Sequence, residues 1–188
     1  MSNSEQQSFA ERQILEQRAR ELAKSPEQDR VEESINTMVV ELDDERYGLP
    51  ISDINEIRPL DSFTPIPGVS SLWLGLFNLR STLIPLLDLR VYLGLKPFPF
   101  NSKQTDEKVR KNSGYQKGQI IIVQKEDNLV GLLVDLVSEV KTIPLSKINA
   151  PLETISKKQK NVVRGLTSEL ITILDIQKLL EDPDLIIN

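Results

Sequence analysis

The residues of this chain that could do acid–base chemistry are carboxylates, and Asp53, Asp88, Asp135 and Asp175 are the candidates. The sequence has no histidine and no cysteine. Their absence removes the commonest general base, the best nucleophile and the usual transition-metal ligands, and with them any thiolate zinc site or disulfide. Asp88 and Asp175 occupy equivalent places in two similar segments and stand where short helices are expected to begin. There an aspartate accepts from otherwise unpartnered backbone NH groups, so both read as caps rather than catalysts. Asp135 is assigned to a surface or turn. No glycine-rich phosphate loop and no paired acid/base constellation accompanies them. The expectation is a protein that is not an enzyme, with no catalytic residue, no cofactor and no metal.

What must position these residues is a sequence written twice. Residues 48 to 58, GLPISDINEIR, align without a gap on residues 131 to 141, GLLVDLVSEVK, and residues 83 to 93, LIPLLDLRVYL, align on 170 to 180, LITILDIQKLL. Gly48/Gly131, Glu56/Glu139, Leu83/Leu170 and Asp88/Asp175 are identical pairs, and both blocks recur in the same order. Such a repeat means one supersecondary unit built twice. Short β-branched runs broken by turn residues, such as MVVELDDERYGLPI with its turn at Asp43 and Asp44, make that unit a set of strands. Val39, Glu41, Tyr47, Leu49 and Ile51 alternate as in a half-buried sheet. The reading is therefore mainly β, with two similar small barrels and short helices after their final strands, DLRVYLG from Asp88 and another from Asp175.

The boundaries follow from composition. Residues 1–35 form an N-terminal helical extension, with a capping box at Ser8 and Glu11 and an apolar stripe of Leu15, Ala19, Leu22 and Ala23 that Pro26 ends. This extension is either solvated or a docking helix. The first barrel is expected mainly over 36–95, an exposed basic connection over 96–118, the second barrel mainly over 119–175 and a final helix over 175–182, with interleaved boundaries left open. Halves of about 60 residues bury too little surface to stand alone, so the two are expected to share an interface. The net charge of -5, from 23 basic and 28 acidic residues, gives no nucleic-acid surface. Apolar runs reach only about five residues, so no membrane insertion is expected, and the missing cysteines fit a cytoplasmic location.

Surface chemistry is where the two copies diverge. The segment between Gly75 and Leu83, LFNLRST, is longer than the matching LTSE between Gly165 and Leu170. The extra turn presents Asn78, Leu79 and Arg80. A guanidinium there serves either interface recognition, for which its planar fork is suited, or a surface salt bridge worth under about 1 kcal/mol. Glu56 and Glu139 share a repeat position beside Ile54, Ile57, Val137 and Val140, and read either as solvated strand charges or as parts of a docking patch. Trp73, in an apolar run, is assigned to the core.

The blocks YGLPISDINEIRPL, TPIPGV, LGLFNLRSTLIPLLDLRVYLGL, VGLLVDLVSEV, RGL and LITILDIQKLL resemble the CheW-like coupling proteins of bacterial chemosensory systems, from about Thr37 to Asp182. The resemblance implies two five-stranded SH3-like barrels and a non-catalytic adaptor. It further implies two partners, the cytoplasmic tip of methyl-accepting chemoreceptors and the regulatory domain of a CheA-type histidine kinase, with ring assembly among homologous domains and recruitment to membrane receptor arrays. The matching interaction positions are Ile54, Glu56, Ile57, Gly75, Asn78, Arg80, Val137 and Gly165. The alternative is a stand-alone SH3-like regulatory module that binds the kinase without coupling a receptor. Ser81 stands where the family usually has glycine after the arginine, so a turn that tolerates positive φ there must find another geometry or carry strain in this chain.

Because the N-terminal stripe is narrow and half alanine, deleting residues 1–30 is expected to leave the fold intact. A thermal melt checks this, and a large fall in midpoint would show that the segment docks.

Overall fold

The computed structural model describes residues 32–99, 118–126, 128–151 and 157–185. The expected N-terminal helix and most of the basic connection lie outside the described residues. The strands are β1 (Ser34–Leu42), β2 (Glu45–Pro50), β3 (Ile54–Pro59), β4 (Trp73–Leu79), β5 (Thr82–Asp88), β6 (Gln119–Lys125), β7 (Asn128–Val134), β8 (Leu136–Pro144), β9 (Ile148–Asn149), β10 (Val163–Thr167) and β11 (Ile171–Leu174). Short helices α1 (Leu89–Tyr92), α2 (Lys157–Val162) and α3 (Ile176–Leu180) complete the set. The helix α2, KKQKNV, was not expected, because it carries no apolar periodicity.

The protein is mainly β, with two sheets that exchange strands. One has the order β8-β1-β2-β11-β10-β9 and the other β3-β6-β7-β5-β4. The sheets are therefore not the two sequence halves: strands β1 and β2 leave the first half to pair with β8 and β11 of the second, while β6 and β7 join β3 and β5. The exchange is reciprocal. Each sheet takes the first two strands of one repeat and the remaining strands of the other, three in one sheet and four in the other, and its parallel pair, β2 with β11 or β7 with β5, joins the two copies. The expected five strands per barrel become six in one sheet through the two-residue β9. In the other sheet Thr64 makes the matching bridge to Leu76.

Both faces of the exchanged strands are apolar because both are buried. Along β6, Ile120 and Ile122 pack with Phe77, Ile84, Leu86 and Leu133 inside one sheet, while Ile121 and Val123 turn to a central cluster. Along β1, Val39 joins Ile143, Ile171 and Ile173 inside the other sheet, and Val40 and Leu42 join the central cluster. That cluster unites Leu49, Leu87, Leu132, Leu174 and Trp73 from both sheets. The expected half-buried alternation thus fails on β1, where Val39, Val40 and Leu42 are all fully buried. The hairpin turn at Asp43 is where the sequence put it, with φ 57°.

A sheet that needs strands from both repeats cannot form from one. Fragments 32–99 and 118–185 are expected to be unfolded separately and to recover β structure when mixed. Far-UV circular dichroism checks this, and a cooperative melt from either fragment alone would contradict it.

Candidate functional site

Strands β3 and β8, which carry Glu56 and Glu139, each contain a bulge at the equivalent residue. The register of β3 on β6 runs from Ile54↔Val123 to Glu56↔Ile122, leaving Asn55 over, and that of β8 on β1 runs from Val39↔Glu139 to Val40↔Val137, leaving Ser138 over. A bulge re-aims the side chains that follow it. Beyond the first bulge, Glu56 lies between two cations, with Arg58 at 3.1 Å and Arg80 at 3.2 Å. The Arg80 side chain is 76% exposed, whereas that of Glu56 is largely covered.

Arg80 is held out by the β4–β5 hairpin, whose two turn residues both have left-handed backbones, φ 49° at Arg80 and 72° at Ser81. Two-residue hairpins favour this geometry because its twist matches that of the strands. Ser81 thus keeps the turn that glycine would make, with the steric cost of a Cβ. The Asn78 side-chain oxygen accepts from the Ser81 NH at 2.8 Å and fixes the turn, so the part of Asn78 seen in the structure is to shape the hairpin.

Gly75 and Gly165 are both buried and sit at register shifts in β4 and β10. A Cβ on Gly75 would run into the Thr64 carbonyl, and one on Gly165 into that of Asn149. Both glycines admit a crossing backbone and support the hairpins from below. Ile54 and Ile57 are half-buried on β3 beside Glu56, and Val137 is half-buried on β8, where its NH donates to the Gln119 side chain at 2.5 Å. The structure gathers Ile54, Glu56, Ile57, Asn78 and Arg80 on one sheet and sets Val137 and Gly165 on the other.

Two exposed leucines escaped the sequence reading. Leu83 and Leu170 are identical between copies, which suggested scaffold, yet they are 64% and 71% exposed. Leu170 also has φ 60°. Near it, Lys141, the counterpart of Arg58, pairs with Glu139 at 3.4 Å and with Glu169, whereas on the other sheet Glu56 lies between Arg58 and Arg80. The Lys141 hydrogen bond and charge hold the Glu169 carboxyl below its ordinary range. The equivalence of Leu83 and Leu170 was visible; their exposure was not.

All four candidate aspartates have structural partners. Asp88, 1% exposed, accepts from the NH groups of Arg90 at 3.0 Å, Val91 at 3.3 Å and Phe98 at 3.0 Å. Burial pushes its carboxyl up, against the pull of those NH groups. Asp175 caps α3 through the Lys178 NH at 3.1 Å, and Asp53 accepts from the Gln177 amide at 3.3 Å. Asp135 corrects the expectation of surface duty: it is 5% exposed and receives both the Nε and Nη2 groups of Arg90, the former at 2.7 Å. Burial works against the Arg90 charge, but the Asp135 hydrogen bond and charge, with Asp43 and Asp88, raise its pKa.

The family model described as a CheW-like domain matches residues 36–184. The chain is 29% identical over 170 residues to a chemotaxis protein CheW of Helicobacter pylori, covering 89% of this chain and 94% of that one. It is 28% identical over 158 residues to the CheW of Treponema pallidum, covering 82% and 86%. Among solved structures, it is similar to the scaffolding protein TtCheW of Thermoanaerobacter tengcongensis, with a TM-score of 0.62, 28% identity, and coverage of 81% of this chain and 96% of that one.

Replacing Ser81 by glycine removes a Cβ from a left-handed position, a relief of about 1–2 kcal/mol, and adds about 0.5–1 kcal/mol of unfolded-state entropy. A net gain of about 0.5–1 kcal/mol is expected, read as a melting temperature higher by about 1–4 °C. A fall would show that the Ser81 side chain stabilises the turn.

Proposed function

The chain belongs to the CheW-like family and is a coupling adaptor of chemotaxis, and we propose that it is non-catalytic and joins the cytoplasmic tip of methyl-accepting chemoreceptors to the regulatory domain of a CheA-type histidine kinase. The observation that carries this reading is the exposed Arg80 at the hairpin tip, paired with Glu56 and flanked by the half-buried Ile54 and Ile57. A guanidinium fork beside aliphatic surface suits a protein interface, since it bonds carboxylates or carbonyls at two points while the aliphatics lose water. A helical receptor tip would lay its apolar face along Ile54, Ile57 and Val137, a helix-in-groove contact. The kinase domain would meet the hairpin end that carries Arg80, with Gly75 and Gly165 keeping the two hairpins in shape.

Catalysis has no part in this reading. Asp88 and Asp175 are occupied as caps, Asp135 by the Arg90 ion pair and Asp53 by the Gln177 amide, and neither histidine nor cysteine is available. We place the protein in the cytoplasm, recruited to receptor arrays; among the described residues no helix is long and apolar enough to cross a membrane. Two weak sites on one adaptor reinforce each other, because binding at one raises the effective concentration at the other. Contacts of about -8 kcal/mol each, or micromolar affinity, then suffice for a stable assembly, including rings with homologous domains.

Arg80→Glu sets two carboxylates side by side in place of an ion pair. Because the pair is exposed, folding stability should change by less than about 1 kcal/mol. Co-sedimentation with receptor fragments and kinase should fall at least about tenfold, the effect of losing about 1.4 kcal/mol or more at an interface anchor. If both interactions and kinase activation survived the change, the assignment of Arg80 would be wrong.

A further inference from the structure

Among the described residues the chain passes between its two sheets twice, and the crossings are built differently. From β2 to β3 it uses a single-turn 3-10 helix, Ile51–Asp53, none of whose residues is buried, and the bond across it joins the exposed Gln177 to Asp53 at 3.3 Å. From β7 to β8 it uses one buried residue, Asp135. Asp135 is tied to both sheets. Its NH donates to the Glu41 carbonyl at 3.2 Å and its carboxylate accepts the Asp43 NH at 2.7 Å, both on the β1–β2 hairpin. The same carboxylate takes the fork of Arg90, which lies on α1 directly after β5 of the other sheet. Phe98 covers the guanidinium, with its ring centre at 5.6 Å.

We propose that the Arg90–Asp135 pair is a rivet that fixes the angle between the sheets, and that both are positioning residues for a partner site divided between them. Ile54, Ile57 and Arg80 lie on one sheet, whereas Val137, two residues beyond Asp135, lies on the other. A rigid partner that spans both needs one angle. The fork geometry suits the task, because two parallel bonds define a direction where a single point charge would not. With the rivet gone, the open 51–53 turn, the apolar contacts between the sheets and single bonds such as Val137 NH to Gln119 and Tyr92 OH to Asp182 are left to hold that angle, none of them a two-point fork. This inference rests on the division of partner-binding residues across the sheets proposed above, so its test reads the angle separately from binding.

The chain lacks cysteine, so Thr82→Cys on β5 and Arg164→Cys on β10, both exposed, carry a clean pair of spin labels in the full-length protein. Double electron–electron resonance then reports the inter-sheet distance distribution. Arg90→Met with Asp135→Leu removes both members of the pair, the change under which a buried ion pair is tolerated best, and leaves Asp88 to its three NH donors and the half-exposed Asp43 to water. Arg90→Lys, which keeps the charge and loses the fork, serves if the double variant does not melt cooperatively. Without the pair, the distribution should broaden at least twofold and joint co-sedimentation with receptor fragment and kinase should fall at least fivefold. Binding of the isolated kinase regulatory domain should change less than twofold. Arg90→Lys should give the same effects at smaller size. An unchanged distribution overturns the rivet, and a broadened one with unchanged joint assembly overturns the positioning role.

Discussion

A strand with water on neither face is the constraint on which this fold depends. Strands β1, β6 and β7 each contribute alternate residues to the interior of their own sheet and to the cluster between the sheets. Neither sheet can be completed, nor the central cluster closed, without strands from both repeats. Emptying one of these leucine sites would cost about 2–5 kcal/mol, while an exposed ion pair contributes about 0–1 kcal/mol. Stability therefore resides in the shared interior. The charges around Glu56 and Lys141 are free to be chosen for recognition, because the fold does not depend on them.

The shared glycines follow from the same compactness. In each sheet a neighbouring stretch of backbone, at Thr64 or at Asn149, crosses so close to the hairpin strand that a side chain at Gly75 or Gly165 has no room. Strands brought this near pin the base of each hairpin, and the tip inherits a defined direction. A two-residue turn with left-handed backbone at both positions then carries Arg80 outward, and the Asn78 amide holds the turn where Ser81 gives no conformational help. The exposed guanidinium thus stands on buried backbone geometry.

Features that depend on neighbours in sequence were legible before the structure. The repeat, the Asp43 turn, the caps at Asp88 and Asp175 and the core position of Trp73 all follow from short-range pattern. The strand exchange was not, because similarity between two copies says that each contains the same strands and nothing about which copy supplies a strand's partner. Asp135 was misread for a related reason. Its equivalent in the first copy is Ser52, which argued against an internal role, and its true partner Arg90 is distant in sequence and has Gln177 as its own counterpart. The copies differ at both ends of one contact, Ser52 and Gln177 being neutral where Asp135 and Arg90 form an ion pair, and a comparison made residue by residue does not couple the two differences. Leu83 and Leu170 show the same limit: their identity between copies was visible in the sequence, and their exposure was not.

Divergence of the surface lies in the arrangement of its charges. On the bulged strand of one sheet, Glu56 lies between Arg58 and Arg80; in the other, Lys141, the counterpart of Arg58, lies between Glu139 and Glu169, with Arg46 and Lys147 also acting on Glu169. The underlying backbone is the same, down to the bulges at Asn55 and Ser138. Two faces of like shape and differently arranged charge would favour different partners, since a group complementary to one meets repulsion at the other. Rearranged charge is an economical way to separate them, because duplication supplies the shape twice and a few exposed substitutions, each nearly neutral for folding, are enough to tell the two surfaces apart.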